Sequence, residues 1–184
     1  KVLADSLLEQ ENVPVEMYQE FMQDIAKEID RENQIITDLL SLVKMDRSGQ
    51  TMNIQTMNIN DLLEQILKRL KPIAEKKNVE MVMETFRPVN AEIDETKFTL
   101  AVSNLVENAI KYNHENGWVH VSLNADHKYF YVKVEDSGIG IPEQDQAHIF
   151  ERFYRVDKSH SREIGGTGLG LAIARNAVLV HRGS

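Results

Sequence analysis

At 184 residues the chain is the size of one domain, or of one domain with a helical appendage, and is long enough to bury a core. Its 21 Lys and Arg against 29 Asp and Glu give a net charge of −8, which excludes the broad basic field that holds a nucleic-acid backbone, so no nucleic-acid partner is expected. Cysteine is absent, which excludes disulfides and thiolate metal sites and suits a reducing cytoplasm. There is neither an apolar run of about 18 residues nor a charged-then-apolar leader, so membrane attachment is expected only through segments outside this sequence.

From Lys1 to Met45 there is no Gly and one Pro, and apolar residues recur three and four apart at Met17, Phe21, Ile25, Ile29, Ile36, Leu39, Leu40 and Val43. The pattern predicts helix, broken at Glu11-Asn12-Val13-Pro14, because a residue before proline is biased away from the α region. Two helices, the first short, then form an antiparallel hairpin too small to bury both apolar stripes, so a second copy is expected to pack against it. Residues 46–50, around Arg47-Ser48-Gly49, mark a boundary, giving a hairpin over 1–48 and a second region over 49–184.

In that second region, Thr51 to Ile59 alternates as a strand, Asp61 is placed to cap a helix running to about Lys77, and Val79 to Phe86 reads as a strand. Asp94 and Glu95 open a helix to about Tyr112, followed by a strand hairpin, Trp118 to Asn124 and Tyr129 to Glu135. Pro142 to Val156 is partly helical, Asp157 to Ile164 is a polar loop, and Leu169 to His181 is the last helix. Strands and helices mix without βαβ alternation, so the expected class is α+β: a helical hairpin followed by an α/β two-layer sandwich with a mixed, mostly antiparallel sheet.

Three stretches carry chemistry. At roughly 100° per residue, Lys97, Asn104, Asn108 and Lys111 share a narrow polar arc of the helix opened by Asp94, with Phe98, Ala101, Val102, Leu105, Ala109 and Tyr112 on the apolar side. That arc is either a solvated face or a binding face; two Asn one turn apart favour binding, since Asn forms helix poorly and offers a neutral carbonyl oxygen suited to magnesium. Asp136-Ser137-Gly138-Ile139-Gly140-Ile141-Pro142 is either a plain turn or a loop whose glycines admit a flat ligand while a buried carboxylate accepts from an exocyclic amine. Guanine presents a carbonyl at that place, so such an Asp selects adenine. Gly165-Gly166-Thr167-Gly168-Leu169-Gly170-Leu171 enters an apolar helix and offers unpaired amides to an anion such as phosphate, though its spacing matches neither a P-loop nor a Rossmann turn. Between the loops, in Phe150-Glu151-Arg152-Phe153-Tyr154-Arg155, either arginine is a candidate for a terminal phosphate, while the aromatics read as packing.

In this order NLVENAIKY, DSGIGIP, FERFYRVD and GGTGLGLAI resemble the asparagine, first glycine, phenylalanine and second glycine boxes of the sensor histidine kinases, which share the GHKL ATP-binding fold. ENQIITDLLSLVKMD also resembles the end of the second helix of that family's dimerisation and phosphotransfer hairpin. The resemblance implies that Asn108 coordinates Mg²⁺ with Asn104 beside it, that Lys111 meets the phosphates and that Tyr112 lies against the nucleotide. It implies that Asp136, in the loop of Gly138 and Gly140, binds the adenine amine, and that Arg155 approaches the γ-phosphate of ATP. Gly166, Thr167, Gly168, Leu169 and Gly170 would close the phosphate side, and Asp157 to Ile164 corresponds to the ATP lid. Family membership further implies transfer of the γ-phosphoryl group to a histidine and on to an aspartate of a response regulator, by a homodimer forming the cytoplasmic part of a membrane-anchored sensor.

Two departures stand out. The family's acceptor is a His-Glu pair early in the first hairpin helix, and none of the six histidines here occupies such a place, so the acceptor is expected upstream of Lys1. The family also continues with two strands beyond the point where this sequence stops. A rival reading on the same fold is an ATPase clamp of the chaperone or mismatch-repair kind; such a clamp carries a Glu one turn before the metal Asn, where this chain has Asn104. A degenerate kinase that binds without chemistry is a third reading, opposed by the intact boxes.

Overall fold

The computed structural model describes residues 14–46, 52–156 and 166–183. Helix α1 (Val15–Asp46) is one uninterrupted helix of 32 residues, about 48 Å long. It starts where Pro14 was expected to start it, the Pro14 carbonyl accepting from Met17 N–H at 3.1 Å. The short helix expected before Pro14 and the boundary at Arg47-Ser48-Gly49 lie outside the described residues. Met17, Ile25, Ile29, Ile36, Leu40 and Val43 are exposed, so the predicted stripe is uncovered in the single chain. Leu42, on another side of the helix, is buried instead.

Strand β1 (Ile54–Asn58) leads directly into α2 (Ile59–Lys76). The cap is Asn58, whose Oδ1 accepts from Asn60 and Asp61 N–H at 3.0 and 3.3 Å, and Asp61 sits in the first turn. The expectation of Asp61 as cap is therefore corrected by three residues: Ile59 is wholly buried and belongs to the helix, not to the strand. Strand β2 (Glu80–Thr85) is followed by β3 (Asn90–Asp94), which the sequence pattern did not reveal. Five residues with Ala91 and Ile93 as their apolar members make a weak alternation, and what defines the strand is its antiparallel pairing with β1, from Ile54 opposite Asp94 to Asn58 opposite Asn90.

Helix α3 (Glu95–Lys111) then crosses to β4 (Trp118–Ala125) and β5 (Phe130–Asp136). The second sheet has the order β2-β4-β5, parallel between β2 and β4 and antiparallel between β4 and β5. The connection through β3 and α3 is what permits the parallel pair. Central β4 alternates cleanly, with Val119, Val121 and Leu123 fully buried under Leu63, Ile66, Val106 and Ile110 of α2 and α3. The result is the expected α+β sandwich of helices on a mixed sheet.

Between Pro142 and Val156 only α4 (Glu143–Gln146) is helical, and the rest is turn held by Tyr154, whose hydroxyl donates to Asp145. Helix α5 (Gly170–Val180) lies across α3 through Ala101, Ala174 and Ala177, and on α1 through Leu42, Leu169 and Ile173. Small residues let α5 approach α3 closely: a Cβ on Gly170 would stand 2.7 Å from Asn104 Oδ1.

Candidate functional site

Helix α3 is the spine of the site. Ala101, Val102, Val106, Ala109 and Ile110 are buried, and at about 1.5–3 kcal/mol for each large aliphatic side chain this fixes the rotation of the opposite, polar arc. At its start Asp94 accepts from Lys97 N–H at 3.1 Å, from Lys97 Nζ at 2.6 Å and from Asn53 N–H at 3.1 Å, while its own N–H donates to His181 Nε2 at 2.9 Å. Burial alone would raise the Asp94 carboxyl, but these hydrogen bonds and the lysine charge hold it below the usual carboxylate range. Lys97 thus belongs to the helix cap, and the arc available for binding begins at Asn104.

Asn104 is half-buried; its Nδ2 donates to the Leu100 carbonyl at 2.9 Å, and its Oδ1 lies against the start of α5 at Gly170. One turn on, Asn108 is also half-buried, and a further turn brings Lys111. A Cβ on Gly166 would stand 3.1 Å from Lys111 Nζ and 3.3 Å from the Tyr112 hydroxyl, so these two side chains and the second glycine loop meet at one place. Desolvation pushes the Lys111 ammonium below its ordinary value, the nearby Arg155 and Lys77 push the same way, and Glu107 opposes them. Lys77 Nζ donates to the Lys111 carbonyl, which keeps that second cation close. Glu107 in turn is pushed up by desolvation and by Asp38, against the pull of Arg69 and Lys111. Three cations, Lys111, Arg155 and Lys77, thus lie near one another in a partly desolvated corner, an arrangement suited to an anion.

The first glycine loop passes over the C-terminal end of α3. Tyr112, the C-cap, accepts from Ile139 N–H at 3.1 Å through its carbonyl, and a Cβ on Gly138 would overlap that same carbonyl. Asp136 ends β5 opposite Val119, and its Oδ1 accepts from Gly138 N–H at 2.9 Å. The sequence reading expected a buried carboxylate; Asp136 is exposed, because the loop lies open on that side. Gly140 has φ +69°, a conformation that favours glycine.

The second glycine loop is joined to the segment that carries Arg155. Gly168 has φ +71°, its carbonyl accepts from Phe153 N–H at 2.8 Å, and a Cβ there would stand 2.9 Å from the Phe153 backbone. Two members of the loop turn their side chains toward α1. The Thr167 hydroxyl donates to Asp38 Oδ2 on α1 at 2.7 Å and accepts from Leu169 N–H at 3.2 Å. Leu169 is fully buried against Leu42 and Ile173. Their side chains serve the contact with α1 rather than the phosphate side, since an apolar or hydroxyl group pointing into a packed helix interface cannot also face a ligand. Asp38, buried and also receiving Gln34 Nε2 at 2.8 Å, was missed because its partner is 129 positions away. Gly165 and the polar segment 157–164 lie outside the described residues.

Residues 93–184 match the family of histidine kinase-, DNA gyrase B- and HSP90-like ATPases. The chain is similar to sensor histidine kinase WalK of Bacillus subtilis (strain 168), at 37% identity over 166 residues, covering 89% of this chain and 27% of that protein. It is also similar to sensor histidine kinase RppB of Synechocystis, at 37% over 155 residues, covering 84% of this chain and 34% of RppB. The chain therefore spans 27–34% of the length of these curated relatives. Among solved structures, the mycobacterial sensor histidine kinase MprB aligns with a TM-score of 0.62 at 29% identity, over 71% of this chain and 82% of that one. Histidine kinase ThkA in complex with response regulator protein TrrA aligns with a TM-score of 0.76 over 98% of this chain and 49% of that one, at 23% identity, a likeness of fold. With four boxes brought together around α3 and that match over half its length, the chain belongs to the histidine kinase-, DNA gyrase B- and HSP90-like ATPases, and among them to the sensor histidine kinases.

Proposed function

We propose that this chain is the catalytic core of a sensor histidine kinase that binds Mg·ATP and delivers its γ-phosphoryl group to a histidine outside the sequence, for relay to an aspartate of a response-regulator receiver domain. One observation carries the reading: the C-terminal end of α3 joins a cation cluster, Lys111 with Arg155 and Lys77, to the Asp136 loop through the Tyr112 carbonyl. A ligand with a polyanionic end and a flat, amine-bearing end fits that pair.

In this reading Asp136 accepts from the adenine amine and Tyr112 lies beside the nucleotide. Lys111 and Arg155 neutralise phosphate charge, and the Gly166–Gly168 backbone closes over the phosphates. Asn108, half-buried one turn before Lys111, would hold Mg²⁺ through its neutral amide oxygen, a hard donor of the kind that ion takes. Bound magnesium supplies charge neutralisation on the phosphates. In the transfer the bond from γ-phosphorus to the bridging oxygen breaks, a nitrogen–phosphorus bond forms, and ADP leaves; this chain contributes positioning and fixed charge.

The exposed stripe of α1 supports a homodimer through the helical hairpin. Among the described residues no helix is long and apolar enough to cross a membrane, and we place the chain on the cytoplasmic side of a sensor anchored by other segments. The clamp reading is weaker, because the position a general base would take is Asn104, already engaged with Leu100 and packed on Gly170.

The test is Asp136→Asn, titrated calorimetrically with ATP and GTP. Losing a charged hydrogen bond costs about 1.5–3 kcal/mol, or roughly ten- to a hundredfold in ATP affinity. Unchanged ATP affinity, or equal wild-type affinity for GTP, removes Asp136 from the adenine site.

A further inference from the structure

Beneath the first glycine loop lies a polar knot that neither box accounts for. Asn113, two residues past the end of α3, is 6% exposed, and its amide uses every donor and acceptor it has. Nδ2 donates to the carbonyls of Ala109 at 3.1 Å and Trp118 at 2.9 Å, while Oδ1 accepts from the Ser137 hydroxyl at 2.9 Å and from His114 N–H at 3.0 Å. Ser137 completes the knot: its Oγ accepts from Trp118 N–H at 2.8 Å, and its own N–H donates to the Trp118 carbonyl at 3.1 Å. Gly117 passes so close that any Cβ there would overlap Asn113 Oδ1 and Ser137 Oγ. An aspartate at 113 would aim an acceptor at the carbonyls of Ala109 and Trp118, and a leucine would take away the acceptor that the Ser137 hydroxyl and His114 N–H share, so the place calls for an amide.

We propose that Asn113 and Ser137 are positioning residues that set the Asp136 carboxylate at a fixed distance and angle from the phosphate-binding end of α3. The inference rests on the nucleotide reading above and adds a joint to it. Asn113 follows the residues that carry Asn108, Lys111 and Tyr112, and Ser137 follows Asp136 directly, so the knot spans the two halves of the site. Apolar packing there would leave the loop free to slide along the helix end. Directional hydrogen bonds in a satisfied, partly buried network fix both translation and rotation. Among the described residues the loop is also held by Ile139 N–H, which donates to the Tyr112 carbonyl at 3.1 Å, but that bond lies three residues beyond Asp136 and leaves the setting of its carboxylate to the knot.

Ser137→Ala tests this with little risk to folding, because Asn113 Oδ1 keeps His114 N–H and the released Trp118 N–H lies where water can reach it. Titration calorimetry with ATP is run on wild type, Ser137→Ala, Ser137→Thr, Asp136→Asn and the Asp136→Asn/Ser137→Ala double variant. Ser137→Ala is expected to weaken ATP binding about three- to tenfold, as one neutral hydrogen bond warrants, and Ser137→Thr, which keeps the hydroxyl, to restore it. In the Asp136→Asn background Ser137→Ala is expected to change affinity less than about twofold, because Ser137 acts through the carboxylate already removed. Undiminished binding in Ser137→Ala, a threonine variant as weak as the alanine one, or the full loss repeated in the Asp136→Asn background overturns the proposal. A wild-type chain that binds no ATP overturns instead the reading on which it rests, and is seen without any variant.

Discussion

Lys111→Met separates binding from stability at the centre of the site. Methionine keeps the length and apolar stem of the side chain, so what is removed is one charge beside Gly166, in a corner already holding Arg155 and Lys77. An ammonium facing a phosphate makes a charge-assisted hydrogen bond of about 1.5–3 kcal/mol, so ATP affinity should fall roughly ten- to a hundredfold by calorimetry. Without nucleotide the consequence is different. Desolvation and like charges hold the Lys111 pKa below that of an unfolded lysine, so between the folded and unfolded values the unfolded chain binds more protons and wild-type stability rises with pH; below both values the charge is carried at a cost. Thermal unfolding of the nucleotide-free variant should therefore show no loss greater than about 1 kcal/mol, and the alkaline rise should be gone. Nucleotide binding should reverse the shift in the wild type, so that proton uptake accompanies ATP binding as the pH approaches the lowered value. A variant that keeps its ATP affinity, or one that is strongly destabilised without nucleotide, refutes this account of Lys111.

Gly168→Ala meets both an unfavourable φ of +71° and a backbone 2.9 Å away, whereas Gly140→Ala has φ +69° with open space around it; denaturant unfolding should show roughly 2–4 kcal/mol lost at 168 and about 1–2 at 140, and equal losses would mean that crowding against Phe153 does not matter. Asn108→Ala should weaken ATP binding through the metal, so the deficit should shrink when magnesium is chelated; a deficit of the same size in both conditions makes Asn108 structural. Asp94 has a lowered carboxyl pKa, so its contribution is present above the pH where an unfolded aspartate ionises and is lost as the pH falls through the lower folded value; Asp94→Asn should flatten the acid limb of stability against pH, and an unchanged limb would dissociate the cap from acid unfolding.

What the sequence made legible followed from local period. Helical spacing sorted α3 into a buried face and an arc of Asn104, Asn108 and Lys111, and a capping residue at Asp94 marked its start correctly. The α+β class likewise followed from strands of period two interleaved with helices. What stayed hidden depended on partners distant in the chain. Strand β3 is defined by pairing with β1 some 36 positions earlier, as Ile54 opposite Asp94 shows at 40. Thr167 and Leu169 sit in a glycine-rich loop that reads as phosphate-binding throughout, yet their side chains turn toward Asp38 and Leu42 of α1. Local composition says that amides in such a loop are available; it is silent on which side chains face away. The knot of Asn113 and Ser137 was invisible for the same reason, since each alone reads as an ordinary turn residue.

The net charge of −8 and the cation cluster are reconciled by distance. At physiological ionic strength a charge is screened over about 8 Å, so acidic residues on the outer surfaces scarcely alter the potential felt between Lys111 and Gly166. An extended polyanion samples many such distances and meets the repulsive whole; a compact one meets only the corner where Lys111, Arg155 and Lys77 converge. The same corner explains why the lysine is held at a lowered pKa in the nucleotide-free chain. Cations brought together in advance, at a cost met by the packing of α3 on the sheet, need little rearrangement when phosphate arrives, and fixed charge aimed at transferring phosphate is the contribution a protein makes where the chemistry consists mainly of positioning. In the proposed reading, overall acidity would narrow the range of anions the chain accepts, while the local cation cluster would set where the accepted one sits.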